Sequence, residues 1–225
     1  MEGVEDEKNL IRTFPILMYH SISELYAPYS VSAERFREQM KWLKQVGYES
    51  ISFQELENHN KLPSKPILIT FDDGYIDNYT DVFPILKHYN IKATIFIVTG
   101  WNAHFANLRP KMIMEMSQSG LIEFGAHTVT HDQLTGLSDS EQIWQITKSE
   151  EDLERMLEHS IKAFSYPYGI SNDKTITFVR NAGFSHAVTA RHGLANLDES
   201  LFELPRLEVL SHTDLDQFKH MITSV

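Results

Sequence analysis

Two adjacent carboxylates, Asp72 and Asp73, close the run Ile67-Leu68-Ile69-Thr70-Phe71 and are followed at once by Gly74. An apolar, β-branched run of this kind reads as a buried strand, so the pair is delivered to the strand's end. Asp-Gly is also a common turn dipeptide and by itself signals only a turn. Further along, His127 and His131 stand four positions apart across Thr128-Val129-Thr130. A helix would align two imidazoles at that spacing, whereas the β-branched filler favours a loop after a strand; either geometry can bring two ring nitrogens to one ion. Two histidines and one carboxylate make an open site for a catalytic first-row metal, with positions left for water and substrate. The second carboxylate then stays free to take a proton from water that the ion acidifies, leaving a hydroxide able to attack a carbonyl.

Composition narrows the chemistry. The chain of 225 residues has no cysteine, so disulfides, thiolate zinc sites and a cysteine nucleophile are excluded, and any metal must be held by His, Asp or Glu. With 42% hydrophobic and 23% charged residues it can bury a full core, and its length suits a single α/β barrel domain. A formal net charge of -11 argues against a nucleic-acid partner, which would demand a basic stripe. No apolar run approaches the roughly 20 residues needed to span a bilayer. Met1-Glu2-Gly3-Val4-Glu5-Asp6-Glu7 lacks the basic start and apolar centre of a signal peptide, so a cytosolic protein or one whose export signal precedes this start is expected. Residues 1–12 read as an acidic tail or linker and 13–225 as the catalytic domain.

The elements that must position these groups alternate along the chain. Pro15 to Tyr19 reads as a first strand ending at His20. Ser32 is an N-cap for a helix with Phe36, Met40 and Leu43 on its apolar face and Gly47 beyond its end. A short strand at 49–51 and a capping box at Ser52 and Glu55 follow. A helix from Tyr79 to Tyr89, kinked at Pro84, separates the Asp-Asp-Gly strand from the strand at 93–98. A helix near 110–119 leads to a strand at 121–125 that runs into His127, and Ser138 with Glu141 opens the longest helix, about 139–159. The charges of that helix, Glu150, Glu151, Asp152, Glu154, Arg155 and Glu158, read as a solvated face. Strands at 162–165, 186–189 and 207–209, a helix at 173–182 and a last helix from Asp214 complete the pattern. Strands and helices in alternation predict a parallel α/β fold with its site at the carboxyl ends of the strands, where His20, Asp72, Asp73, His127 and Tyr168 all fall.

Thr70-Phe71-Asp72-Asp73-Gly74, His127-Thr-Val-Thr-His131 and Tyr166-Pro167-Tyr168-Gly169, in this order, resemble the polysaccharide deacetylases of carbohydrate esterase family 4, the NodB homology domain. Leu17-Met18-Tyr19-His20 and Leu204-Pro205-Arg206 are similar to the branch that holds the poly-N-acetylglucosamine deacetylases of biofilm export, and the resemblance covers most of the chain from about residue 14. It implies a distorted (β/α) barrel of about seven parallel strands and a divalent metal ion, zinc in the first instance, with cobalt or nickel as alternatives. It implies hydrolysis of acetyl groups from N-acetylglucosamine units of a polysaccharide, an exopolysaccharide before peptidoglycan or chitin, and a place in the cell envelope or outside the cell. Carried onto matching positions, Asp72 is the general base, Asp73, His127 and His131 the metal ligands, and Tyr168 a backbone oxyanion donor.

The chain also departs from the family pattern. Ser165 stands where many members have an arginine that pairs with the catalytic aspartate, and the usual Asp-Trp or Asp-Tyr motif has no counterpart. Arg206 is the expected substitute for that positive charge. Two histidines compete for the general acid: His20, which ends an apolar strand, and His212, which fits a late Leu-x-His motif; His20 is favoured. Tyr19, Tyr75, Tyr166 and Trp101 could stack on sugar rings or serve only as packing. A hydrolase of a non-sugar amide and a carbohydrate-binding domain without catalysis are the alternative readings. Asp72 argues against the latter, because a pure binder needs no free carboxylate beside a metal.

Overall fold

The computed structural model describes residues 12–24, 27–58, 61–101 and 106–224; the acidic segment expected at the start lies almost wholly outside these. Seven strands form the frame: β1 (Ile16–Tyr19), β2 (Pro66–Phe71), β3 (Ala93–Ile97), β4 (Ile122–Ala126), β5 (Ala163–Ser165), β6 (His186–His192) and β7 (Leu204–Glu208). Each pairs in parallel with the next, and β7 pairs in parallel with β1, so the sheet closes into the barrel the resemblance implies. Helices α1 (Ala33–Gln45) and α2 (Phe53–Leu56) lie between β1 and β2, and α3 (Phe83–Tyr89), α4 (Pro110–Gln118), α5 (Asp139–Leu157) and α6 (Asp173–Ala182) fill the next four crossovers. The β6–β7 connection has no helix; its short strand Ala195–Asn196 pairs antiparallel with Thr13–Phe14, and α7 (Leu215–Thr223) ends the chain.

The local signals work as their chemistry requires. Ser32 accepts the Arg35 N–H, and capping boxes form at Ser52 with Glu55, Ser138 with Glu141 and Asp214 with Gln217. Pro84 departs from a simple kink. It lies in the first turn of α3, and a π-helical turn, Asn78–Val82, carries the chain into it, the wider turn accommodating a residue with no N–H to donate. The charged face of α5 is less uniformly solvated than its composition suggests. Glu151, Arg155 and Glu158 are exposed, whereas Glu150, Asp152 and Glu154 are half-buried and Glu154 accepts the Ile161 N–H.

Strand alternation sorts the barrel into layers. On β2, Ile67, Ile69 and Phe71 pack in the cluster that also holds the helix residues Phe36, Met40, Leu86 and Ile113. The alternate residue Leu68 packs instead with Ile16, Phe96, Ala163, Val188 and Leu204, the apolar lower layer of the barrel interior. Two residues further up the same faces stand Met18, Thr70, Ser165, Ala190 and Arg206, and above them His20, Asp72 and Glu208. An apolar plug thus supports a polar mouth at the carboxyl ends of the strands.

At the start of β6, His186 is 3% exposed and its ring lies 5.7 Å from that of Phe53, and burial pushes its pKa down to about 4. The fold holds it neutral while the unfolded chain takes up a proton below its ordinary value of 6.5, so its contribution is intact above pH 6.5 and is lost as pH falls toward 4. Urea titrations at pH 8 and pH 5 should show the native chain losing about 2 kcal/mol more over that interval than a His186→Gln variant. Equal losses in the two would contradict this assignment.

Candidate active site

Three loops at the barrel mouth supply the cluster. The Asp72 N–H bonds Tyr19 O at 2.9 Å, continuing the β1–β2 ladder, after which the backbone turns left-handed at Asp73 (φ 73°) and Gly74 (φ 68°). A Cβ at Gly74 would lie 2.7 Å from Ile97 Cδ1, and the positive φ strains any L side chain there, so the turn favours glycine. His127 leaves β4 with its N–H on Ile97 O at 2.9 Å. The residues beyond it form a loop, not a helix: Thr128 and His131 are left-handed, the His131 N–H bonds Thr128 Oγ1, and Gln145 Oε1 of α5 accepts the N–H groups of Val129 and Thr130.

In this arrangement Asp73, His127 and His131 meet, with one ligand atom from each lying within 4.8 Å of the others. Asp73 Oδ1 stands 3.5 Å from His127 Nε2 and 3.4 Å from His131 Nε2, is buried, and has no hydrogen-bond partner among the described residues. Those separations are long for hydrogen bonds and close to the edge of about 3.3 Å expected between donors each about 2.0 Å from a tetrahedral ion. His127 Nδ1 lies 2.7 Å from Ser165 O, a pure acceptor, so the proton sits on Nδ1 and the Nε2 lone pair faces Asp73. A buried acceptor left without a donor, between two imidazole nitrogens, fits a divalent cation. Burial works to raise Asp73, but His127 outweighs it and the carboxyl is held low; burial together with His127 lowers His131. His127, which burial alone would lower, is raised by Asp73 and Asp72.

Asp72 does not join that cluster. It faces the barrel axis, where Arg206 makes a two-pronged ion pair with it: Nη1 to Oδ1 at 2.8 Å and Nη2 to Oδ2 at 2.7 Å. Arg206 is 1% exposed, and its remaining donors are matched, Nε to Thr189 O, Nη1 to Thr70 Oγ1 and Nη2 to Ser165 Oγ. Burial presses the Asp72 carboxyl upward, yet the guanidinium charge and its hydrogen bonds win and hold it far below the ordinary carboxylate range. Ser165 Oγ lies 3.2 Å from both Asp72 Oδ2 and Arg206 Nη2, so a small residue where many family members carry arginine leaves room for an arginine from β7. Oδ2 is then fully engaged, while Oδ1 bonds Nη1 alone and retains a lone pair.

These groups line one cavity of about 480 Å³ together with His20, Tyr29, Tyr75, Tyr168 and Glu208. The His20 ring rests 5.1 Å from that of Tyr29. Tyr168 is left-handed (φ 60°) and 62% exposed, with its ring 4.8 Å from that of His131. His212 is exposed in the turn after β7 and is not among the cavity residues. Tyr19 and Tyr166 are buried with their hydroxyls on Gln39 and on Phe202 O, so neither reaches a ligand; Tyr75 lines the cavity, and Trp101 is half-buried 5.5 Å from the His131 ring. The sequence reading did not find Tyr29, Glu208 or Thr70. Glu208 and Thr70 were accessible from alternation with Arg206 and Asp72, whereas Tyr29 lies in a loop with no pattern to mark it.

Comparison with known proteins agrees with this geometry. The polysaccharide deacetylase family matches residues 59–187. YxkH of Bacillus subtilis, whose name places it among the polysaccharide deacetylases, is 37% identical over 199 residues, 87% of this chain and 71% of its own. A poly-β-1,6-N-acetyl-D-glucosamine N-deacetylase of Staphylococcus aureus is 31% identical over 232 residues, 95% of this chain and 77% of its own. Among solved structures, the deacetylase PplD of Streptococcus pyogenes, in complex with acetate, superposes with a TM-score of 0.89 at 32% identity over 93% of this chain and 98% of its own. The chain belongs to the polysaccharide deacetylase family, hydrolases of N-acetyl amide bonds.

Removing Arg206 would strand a buried carboxylate. Arg206→Met should cost about 3–5 kcal/mol in chemical denaturation, and adding Asp72→Asn should recover much of that loss, because the uncompensated charge goes with it. Additive losses in the double variant would show that packing, and not charge, accounts for the cost.

Proposed function

We propose that this chain is a metal-dependent N-deacetylase that removes acetyl groups from N-acetylglucosamine units of an exopolysaccharide of the poly-β-1,6-N-acetylglucosamine type. The main support is Asp73 Oδ1, buried and unpartnered between two imidazoles while a separate carboxylate is held ionised beside it. The choice of polymer rests on the Staphylococcus aureus relative and on the likeness to the structure of IcaB from Ammonifex degensii, which has a TM-score of 0.82 at 26% identity and covers 94% of this chain. Such a polymer places the protein at the cell envelope or outside the cell. Among the described residues no helix is long and apolar enough to cross a membrane.

Asp73, His127 and His131 would hold the ion, zinc before cobalt or nickel for a nitrogen-rich donor set of this kind. When bound, it supplies Lewis acidity, polarising the acetyl carbonyl and making water a nucleophile near neutral pH. Asp72 accepts the proton of the attacking water at Oδ1; Arg206 keeps it ionised and fixes its plane. The Tyr168 N–H, at the cavity rim, donates to the oxygen on which negative charge develops. His20 delivers the proton that lets the sugar amine depart, and free acetate is the second product.

The first test is acetate release from N-acetylglucosamine oligomers. Chelation should abolish it and zinc should restore it; release unaffected by chelation would overturn the metal assignment. Asp72→Asn should lower turnover by about 10²–10⁴-fold while zinc content stays unchanged. For the acid, His20→Ala should lose a comparable factor and His212→Ala should change turnover by less than about twofold. The reverse pattern would transfer the role to His212.

A further inference from the structure

Besides pairing in parallel with Ser30–Val31, the segment that carries His20 is held by two residues of one loop. Asp77 Oδ2 accepts a 2.6 Å hydrogen bond from Ser21 Oγ, and Oδ1 accepts one of 3.1 Å from the Ile22 N–H. Asn78 Nδ2 donates to His20 O at 3.0 Å and to Asp77 Oδ1 at 3.0 Å. Both Asn78 partners are acceptors, so the amide can only face them with its nitrogen. Three consecutive residues beyond β1 are thereby tied to two consecutive residues beyond the Asp72-Asp73-Gly74 turn. The imidazole itself makes no hydrogen bond among the described residues, and its ring meets Tyr29, whose carbonyl accepts the Ser21 N–H at 3.4 Å. Where the ring stands therefore depends on where the backbone of His20 is held.

We infer that Asp77 and Asn78 are positioning residues for proton delivery, acting through the backbone of His20 and touching neither substrate nor metal. The inference rests on His20 being the general acid. A displaced donor is costly because proton transfer needs heavy-atom distances of roughly 2.6–3.2 Å. A brace built from the same loop that holds the carboxylates adds to the one ladder bond from the Asp72 N–H to Tyr19 O, and so fixes acid and base relative to one another beyond the ends of the paired strands.

A double-mutant cycle tests this on the zinc-loaded enzyme with N-acetylglucosamine oligomers. Asp77→Ala should lower kcat by about tenfold with KM within about twofold and zinc content unchanged, and Asp77→Asn, which keeps an acceptor for the Ile22 N–H, should recover most of the loss. In a His20→Ala background Asp77→Ala should cost nothing further. Ser21→Ala, which removes the Asp77 bond and a hydroxyl contact with Ser23, should lower kcat about threefold in the same pattern and carries the test if Asp77→Ala does not fold. An equal loss with and without His20, or no loss in the native background, overturns the inference. Full turnover by His20→Ala alone overturns instead the assignment beneath it.

Discussion

The ion pair between Asp72 and Arg206 is the constraint that the rest of the barrel mouth obeys. Two charges placed where solvent scarcely reaches are tolerable only if each satisfies the other and every remaining donor is matched. The structure meets that condition in full: two parallel bonds join guanidinium and carboxylate, and the other three guanidinium donors go to Thr189 O, Thr70 Oγ1 and Ser165 Oγ. The threonine hydroxyl, having accepted from Arg206, donates to Leu17 O at 2.6 Å, so the network reaches β1, β2, β6 and β7. It spans the strands around the point where the ring closes, and the barrel cannot shift there without breaking charge-assisted bonds.

The same pair sets a chemical limit. A carboxylate gripped this firmly is ionised at any physiological pH and is therefore an unhindered proton acceptor, but a weak one. In the proposed reaction such a base is useful only against water made unusually acidic, the role proposed for a cation held by Asp73, His127 and His131. The two adjacent aspartates are separated in function by geometry alone. The left-handed turn at Asp73 sends one side chain to the barrel axis and an arginine, the other to the loop beyond β4 and two imidazoles.

Much of this was legible because it follows from short-range chemistry. The apolar runs, the capping boxes and the carboxylates at a strand's end each have a local cause, and together they specify the alternation of a barrel and the side on which its site lies. Arg206 shows where such reading weakens. Pro205 cannot donate to a ladder, which argues against a strand beginning before residue 207, yet β7 begins at Leu204. The barrel accommodates the proline with an irregular register, Val188 opposite Leu204 and then His192 opposite Arg206, and a bulge of this kind re-aims a side chain. The pairing of Arg206 with Asp72 was expected from the family resemblance; its burial was not, because the bulge is a property of two strands. The brace at Asp77 and Asn78 was hidden for the same reason, since its partners are 55 to 58 residues away in the chain.

Backbone strain is distributed as this division of labour requires. Among the described residues six non-glycines adopt positive φ: Asn90 and Glu158 merely end helices, whereas Asp73, Thr128, His131 and Tyr168 all stand at the barrel mouth. Each such residue costs on the order of 1–3 kcal/mol and persists only where its surroundings over-determine it. Those surroundings are visible: Asn107 Nδ2 on Asp73 O, Gln145 on the loop between the histidines, and a Gly169 whose added Cβ would fall 2.2 Å from Ala190 N. The apolar lower layer and the helix packing offset a cost that the mouth alone could not sustain. Relaxing the turn at Asp73, Thr128 or His131 would release local strain and move an atom of the proposed ligand set, so the fold's surplus stability is what keeps Asp73, His127 and His131 converged.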